Sequence, residues 1–339
     1  MMETKEILKR LCSERGVSGR ENEMLGIIRS LTGAFADEIK QLPNGTVIAR
    51  IGRTDSKRHI MLDAHLDRIG LIVTDINEEG FLKVYPVGGM DMRSLAGAVV
   101  SVMGKEEIKG VICTLPPHLV KKEEGMTKDD LWIDTGLPAG KVRELFSQGD
   151  TASVCCSFRE LLGNKVTAPA LDNRAGCAVI IRAAQLMLGK LHDTELSLVF
   201  SSQEETNESG AASAAFVLEP DEAVVVDVGF AKQEGVPAGQ CGELGRGPVI
   251  SIAPVLSRKV TDGLISAAGR LGISCDFEVD GGGTGTNADR IAVTAGGIPC
   301  AVISVPEKNM HTRTEIVSLD DIENTAAVIA EYITGGEGK

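Results

Sequence analysis

The chain has 339 residues, of which 43% are apolar and 24% charged, as is usual for a globular protein with one large domain or two moderate ones. Its net charge of −13 argues against nucleic acid as a partner, because phosphate binding needs a basic stripe. No stretch approaches the roughly 20 apolar residues of a membrane span, which argues against a membrane partner. The charged N-terminus lacks a signal-peptide core, and eight scattered cysteines form no CxxC pair. We therefore expect a cytoplasmic protein with reduced thiols.

Apolar spacing predicts helices over about 3–13 and 21–31, followed by a buried strand over 59–65. From about 69 to 165 the pattern changes to short β-like runs separated by turns, with KVRELFS as the one short helix. This stretch predicts a separate small all-β domain over 69–165, inserted into the rest of the chain.

Strands and helices alternate from about 167 to the end, which is typical of a mostly parallel sheet covered by helices. The predicted helices are 172–189, 208–218, 258–271 and 319–334. The predicted strands are 195–202, 222–228, 248–252, 273–279 and 299–305. The simplest architecture is one α/β domain, 1–68 and 166–339, whose sheet includes the early 59–65 strand.

Five residues that commonly bind metals follow these strands or open a helix: His65, Asp172, Glu205, Asp227 and His311. Ligands of open α/β sheets bind outside the carboxyl ends of the strands, so the five side chains are predicted to meet at one edge. A charge that ends a buried run such as EAVVVDV also needs a partner. The joint pattern is more specific than any of its parts.

Two imidazoles and three carboxylates suit a divalent metal such as zinc, cobalt or manganese. Five ligands exceed the needs of one tetrahedral zinc and fit two metals that share a carboxylate. Asp67 lies two residues after His65 and is placed to orient its ring. Glu204 and Glu205 are adjacent, so one can bind metal while the other stays free as a general base.

The segments HLDRIG, ALDNRAG, SQEE, VVDVGFA and ISVPEKNMHTRTE, in this order, resemble the tetrahedral (TET-type) dinuclear metallo-aminopeptidases. That family includes glutamyl and deblocking aminopeptidases, and some members carry an endoglucanase label. The resemblance covers essentially the whole chain, including GVSGRENE near the start and GRGPVI at 245–250.

The resemblance implies a phosphorylase/hydrolase-like α/β domain, with a mixed sheet flanked by helices, and an inserted PDZ-like β domain that makes dimers. Asp172 would bridge two divalent ions, Zn²⁺ or Co²⁺, with His65 and Asp227 completing one site and Glu205 and His311 the other. Glu204 would be the general base, and Asp67 would orient His65. The partners would be peptides with a free N-terminus and further copies of the chain, up to a tetrahedral dodecamer. A cis peptide at Asp172-Asn173 is also implied.

Three positions depart from the family pattern. Arg68 stands where the family usually has Glu, Asn287 stands in the Gly-Thr-Asp-Ala segment in place of Asp, and Arg290 replaces a small residue. We consider all three candidate substrate-binding residues. One hypothesis is that Arg68 or Arg290 adds positive charge near the substrate side chain and favours acidic N-terminal residues.

Three other functions remain open on the sequence. A related dinuclear hydrolase, a dipeptidase or N-acyl amino acid deacylase, would use the same ligands. A glycosidase would use two carboxylates without metal, but the aromatic content of 3% leaves few rings to stack on sugars. A non-catalytic homologue is disfavoured by the intact ligand set.

Overall fold

The computed structural model describes residues 2–119 and 127–335. The helices within these ranges are α1 (Thr4–Ser13), α2 (Leu25–Thr32), α3 (Ala139–Leu145), α4 (Leu171–Met187), α5 (Glu204–Asn207), α6 (Ser209–Leu218), α7 (Arg258–Leu271), α8 (Ala288–Ile291) and α9 (Leu319–Thr334). Short 3₁₀ turns lie at Glu21–Met24, Met92–Ser94, Pro117–Leu119, Lys128–Asp130 and Ala238–Gln240.

The first nine strands are β1 (Glu38–Gln41), β2 (Val47–Ile51), β3 (Arg58–His65), β4 (Gly70–Ile76), β5 (Leu82–Val87), β6 (Val99–Met103), β7 (Glu107–Ile112), β8 (Trp132–Asp134) and β9 (Thr151–Val154). The later strands are β10 (Arg159–Leu161), β11 (Lys165–Ala168), β12 (Thr194–Ser201), β13 (Glu222–Phe230), β14 (Val249–Ile252), β15 (Asp276–Val279), β16 (Cys300–Glu307) and β17 (Glu315–Ser318).

An eight-stranded mixed sheet forms the centre, in the order β1-β2-β12-β3-β13-β16-β14-β15. The strands β12, β3, β13 and β16 are parallel, whereas β1, β2 and β14 join antiparallel to their inner neighbours. The prediction that the 59–65 strand shares a sheet with the later strands is confirmed, since β3 lies between β12 and β13. The carboxyl ends of the four parallel strands therefore meet at one edge.

Helices cover both faces of this sheet. One face packs against α1, α2, α4, α7 and α9 in a large apolar core. The other face packs its alanine-rich and β-branched residues against α6 and α8. The predicted α/β class with a helix-covered mixed sheet is confirmed.

The segment between β3 and β10 forms a closed barrel in the order β4-β5-β8-β7-β6-β9. It has its own apolar core, built from the inward residues of these strands and from α3. The small all-β unit predicted from the run of short strands is present as this barrel. A separate antiparallel sheet, β10-β11-β17, lies where the chain leaves it.

No helix among the described residues is long and apolar enough to cross a membrane. No disulfide joins any of the eight cysteines, all of which lie within the described residues. Cys12, Cys177 and Cys300 are buried, and burial raises the pKa of each to about 12. These three side chains therefore behave as small apolar residues of the core.

Candidate metal centre

The strands deliver two of the predicted ligands directly to the sheet edge. His65 is the last residue of β3, and Asp227 lies in the neighbouring strand β13 three residues before its end. After β12 ends at Ser201, the chain turns through Gln203, whose φ of 59° is left-handed, and enters the single-turn helix α5 at Glu204 and Glu205. The turn brings both glutamates back over the edge.

The other two predicted ligands come from irregular backbone. Asp172 is the second residue of α4, but its φ and ψ of −76° and 104° are not helical. The peptide between Asp172 and Asn173 is cis, as the family resemblance implies. His311 lies in the loop between β16 and β17 and has a φ of 60°. Neither side chain is positioned by the repeat of a helix or strand.

The structure brings the five predicted ligands and Glu204 together as two facing groups of potential metal ligands: His65, Glu204 and Asp227 in one, and Asp172, Glu205 and His311 in the other. Within each group the ligand atoms lie within 4.8 Å of one another. Asp172 connects the groups, since its Oδ1 lies 3.0 Å from His65 Nε2 and its Oδ2 lies 3.1 Å from His311 Nε2. Its carboxylate thus faces both groups with one oxygen each.

Hydrogen bonds fix both imidazole rings with Nε2 toward the centre. The Nδ1 of His65 donates to the backbone oxygen of Asp67 at 3.2 Å, and the carboxylate of Asp67 lies 3.5 Å away. The Nδ1 of His311 donates to the backbone oxygen of Gly89 at 2.6 Å. Metal-binding histidines commonly present one nitrogen inward while an acceptor holds the other.

Asp67 has a further role that the sequence did not indicate. Its two carboxylate oxygens accept hydrogen bonds from the backbone N–H groups of Glu204, at 3.0 Å, and Glu205, at 3.1 Å. The buried carboxylate therefore holds the start of α5 and both of its glutamates. Glu21 supports the same turn by accepting from the backbone N–H of Gln203 at 2.9 Å.

The charges of these carboxylates are poorly solvated. Burial raises the pKa of Glu204 to about 7 and raises those of Glu205 and Asp227 well above their usual range. For Asp172 burial is outweighed by the hydrogen bonds with His311 and His65, which lower its pKa. The hydrogen bond with Asp172 raises the pKa of His311 to about 9.

These side chains fit divalent metal ions. Buried carboxylates this close cannot all ionise unless cations neutralise them. The Oε1 of Glu205 is buried and has no hydrogen-bond partner, so one strong acceptor is free for a ligand. Two imidazole nitrogens with carboxylate oxygens and no thiolate suit a divalent ion such as zinc or cobalt.

An open cavity of about 420 Å³ lies over the centre. Besides the six residues of the two groups, its wall includes Glu208 on α5's C-terminal side, Phe230 and Glu278. Glu278 is half-buried, and burial together with the charge of Asp280 raises its pKa. No lysine or arginine of the described residues lines this wall. The electrostatic character of the cavity is therefore acidic.

The three predicted substrate-binding residues do not line this cavity. Arg68 is buried and lines two other cavities. Asn287 is buried, and its amide donates to Asp63 Oδ2 at 2.7 Å and to Ser201 Oγ at 2.9 Å. Arg290 is exposed, with its Nε 3.5 Å from Glu208. A substrate-binding role for Arg68, Asn287 and Arg290 stays a prediction, because none of the three belongs to the wall of the cavity over the metal centre.

Sequence reasoning missed Gly89 and Glu278. Gly89 acts through its backbone oxygen, so its residue type does not indicate this role. The adjacent glycines Gly88 and Gly89 suggest only that the backbone lies close to another group there. A Cβ on Gly89 would lie 2.9 Å from His311 Nδ1, so alanine there cannot fit without moving the ring. Glu278 lies in the edge strand β15. The alternation of half-buried and exposed residues along this strand does not indicate which of its two faces borders a cavity.

Replacing Gly89 with alanine is expected to displace His311 and weaken binding of one metal ion by about 10- to 100-fold, the loss typical of disturbing a group that orients a ligand. Competition with a graded series of chelators measures this affinity. The matched control is Gly140→Ala in α3, where an added Cβ would meet no atom within 4 Å. Unchanged metal affinity in the Gly89 variant would remove the role assigned to this glycine.

Comparison with known proteins supports this chemistry. The model of the M42 glutamyl aminopeptidase family matches residues 45–328. The chain is 32% identical over 330 residues to the lysyl aminopeptidase of Pyrococcus furiosus, covering 94% of each chain. Its fold is similar to an aminopeptidase from Desulfurococcus kamchatkensis, with a TM-score of 0.91, 31% identity and coverage of 98% and 94%. The TET1 peptidase of Pyrococcus horikoshii, which can assemble into a tetrahedron or a large octahedral shell, gives a TM-score of 0.85, 31% identity and coverage of 98% and 99%.

Proposed function

Because the chain belongs to the M42 glutamyl aminopeptidase family and is an aminopeptidase, we propose that it cleaves the N-terminal residue from peptides with a dinuclear metal centre. The observation that carries this proposal is the carboxylate of Asp172, with one oxygen 3.0 Å from His65 Nε2 and the other 3.1 Å from His311 Nε2. Such a position suits a carboxylate shared by two ions.

The ligands divide between the two ions around Asp172. His65 and Asp227 would hold one ion, and Glu205 and His311 the other, with Zn²⁺ or Co²⁺ as the ions that suit this mixture of nitrogen and oxygen. When bound, such ions lower the pKa of water and polarise a carbonyl oxygen. Asp67 would keep His65 oriented and hold both glutamates of α5 in position.

Glu204 would move the protons of the reaction. Its Oε2 lies 3.7 Å from His65 Nε2, beside the ligands and open to the cavity. A carboxylate in this place accepts the proton of the attacking water and donates it to the departing amine nitrogen. Its burial favours proton exchange near neutral pH, because its pKa is raised to about 7.

The test is turnover and metal content of the purified protein before and after chelation. We expect hydrolysis of leucyl-p-nitroanilide that is lost with the metal and restored by Zn²⁺ or Co²⁺. Cleavage of N-acetylated substrates instead would favour the deacylase, and chelator-resistant hydrolysis of cellulose would favour the glycosidase. Full metal occupancy without any of these activities would favour a non-catalytic homologue.

We also propose that the cavity favours a cationic N-terminal residue, in place of the acidic preference considered from the sequence. Glu278 and Glu208 add negative charge to its wall, while no lysine or arginine of the described residues does. Glu208 lies 3.5 Å from Arg290, whereas no ion pair holds Glu278 among the described residues. The similarity to a lysyl aminopeptidase supports this preference.

A panel of aminoacyl-p-nitroanilides tests the preference. We expect kcat/KM to be highest for lysyl and arginyl substrates, and Glu278→Gln to lower it about tenfold for these two with little change for leucyl, because one ion pair is lost. Asp280→Asn serves as control, since Asp280 is near but outside the cavity wall. An equal loss for all substrates would instead assign Glu278 to the substrate's α-amine, and a better glutamyl substrate would contradict the proposal.

We further propose that 69–165 is an inserted, PDZ-like dimerisation domain and that 1–68 with 166–339 forms the catalytic domain of a cytoplasmic homo-oligomer. The closed barrel with its own core supports the first part. The similarity to a peptidase that assembles into a tetrahedron supports an assembly built from dimers, up to a dodecamer. Light scattering of the purified protein gives the number of subunits.

A further inference from the structure

A second cavity, of about 990 Å³, lies where the barrel meets α1 and the small β10-β11-β17 sheet, with Arg68 in its wall. We call it the Arg68 cavity. Its wall comes from α1, from the barrel strands β6, β7 and β9, and from β11 and the loop after His311. The proposed function leaves this cavity without a role.

The Arg68 cavity is strongly basic in a protein whose net charge is −13. Two acidic residues line it, Glu14 and Glu107. The basic residues in its wall are six: Lys9, Arg15, Arg68, Lys109, Arg159 and Arg313. Arg15 and Lys109 both pair with Glu107, which leaves the other four without an ion pair among the described residues. Such an excess of positive charge attracts anions.

Two buried donors in this wall lack hydrogen-bond partners within residues 2–119 and 127–335. Arg68 is 6% exposed, and its Nε has no hydrogen-bond partner. Thr167 is 9% exposed, and its Oγ1 has none either. A buried polar group without a partner costs free energy, and a buried unpaired charge costs more. Both residues line the Arg68 cavity, so an acceptor that enters it supplies the partner that the surrounding side chains do not.

The protein's own carboxylates do not neutralise Arg68. Burial and the positive charge of Arg174 both lower the pKa of the Arg68 guanidinium. Glu315 attracts it through space, but its Oε2 is engaged by the backbone N–H of Asp172 at 3.2 Å. Arg174 is itself buried, and its Nε is also without a partner. The carboxylates near the guanidinium groups of Arg68 and Arg174 therefore do not neutralise both positive charges.

We propose that the Arg68 cavity binds a small oxyanion, a phosphate, sulfate or carboxylate group, between the guanidinium of Arg68 and the hydroxyl of Thr167. Guanidinium and hydroxyl donors are the groups that bind such oxygens most strongly in proteins. Arg313 and Arg159, which are exposed and belong to the wall, would attract the anion. The anion would also join the barrel to α1 and β11, because all of them contribute to the wall.

The test uses thermal unfolding and calorimetric titration of the metal-loaded enzyme with sodium sulfate and, separately, sodium succinate, at ionic strength held constant with chloride. We expect at least one of the two anions to raise the Tm of the wild type saturably, because a ligand of the folded state stabilises it. Arg68→Met should bind that anion about tenfold more weakly or worse. In chloride alone this variant should be no less stable than the wild type, since it removes an unpaired buried charge.

Thr167→Val provides a second variant, because the lost hydroxyl has no partner among the described residues and the shape is nearly kept. It should fold and bind the anion more weakly. Arg53→Met, at an 82% exposed side chain whose ion pair among the described residues is with Asp55, should respond as the wild type does. The proposal is overturned if neither anion binds, if Arg68→Met responds like the wild type, or if that variant is destabilised equally with and without anion.

Discussion

Replacing Glu204 with glutamine is expected to lower kcat by about 10²- to 10⁴-fold, the usual contribution of a general base, while both metal ions stay bound. Glutamine keeps the size of the side chain and the backbone N–H that donates to Asp67, so α5 keeps its position. Only the capacity to accept a proton is lost. The measurement is steady-state turnover of an aminoacyl-p-nitroanilide together with elemental analysis of the metal-loaded variant.

The adjacent glutamate supplies the matched comparison. Glu205→Gln removes the carboxylate whose Oε2 lies 3.6 Å from His311 Nε2 and whose Oε1 has no partner in the part of the chain that the structure describes. This variant should lose metal, and activity with it. The comparison matters because Glu204 lies close enough to His65 and Asp227 to be a ligand itself. If Glu204→Gln loses an ion and Glu205→Gln does not, the two roles are reversed.

The sequence predicted the elements that follow from local periodicity. The helix over 258–271 and the helix over 319–334 have the same bounds in the structure, because both carry a clear apolar face between polar ends. The strands β1 and β2 were missed. They are short, and β1 alternates only between half-buried and exposed residues, so its apolar signal is weak.

The proximity of His65 and Asp227 could be predicted from the topology of a parallel sheet. Parallel strands end at one edge, and β3 and β13 are neighbours. The position of His311 could not be derived in this way, since its loop backbone is left-handed and irregular. The rule for sheet edges predicted only that His311 and Asp172 lie at the same edge, and the family resemblance implied that they share a metal ion. Closure of the barrel was likewise beyond the sequence, because β4 pairs with β9 across most of the insert.

Asn287 illustrates how position and environment differ. Its place in a glycine-rich segment suggested substrate contact, but the side chain is buried against Asp63, which precedes it by 224 residues. The carboxamide donates one of the two side-chain hydrogen bonds that stabilise this buried carboxylate, and Ser201 supplies the other. Such a pairing between distant residues is invisible until the fold brings them together.

Asp172→Asn is expected to weaken metal binding more than the loss of a group that only orients a ligand. A loss of that kind usually lowers metal affinity by about 10- to 100-fold. The carboxylate faces both groups, so one substitution weakens both ion sites at once. Metal content should fall from two ions per subunit to less than one, and activity should disappear. The exposed Asp262, which pairs with Arg258 on α7, supplies the control Asp262→Asn.

The same variant should also lose most of the stabilisation that metal gives. In the wild type, chelation exposes buried carboxylates to one another and removes a ligand of the folded state, so the Tm should fall clearly. In Asp172→Asn there is little metal to remove, and the difference in Tm between metal-loaded and chelated protein should nearly vanish. A variant that keeps one tightly bound ion and half of this difference would mean that Asp172 serves a single metal ion, and the proposed centre would then be two independent sites rather than a bridged pair.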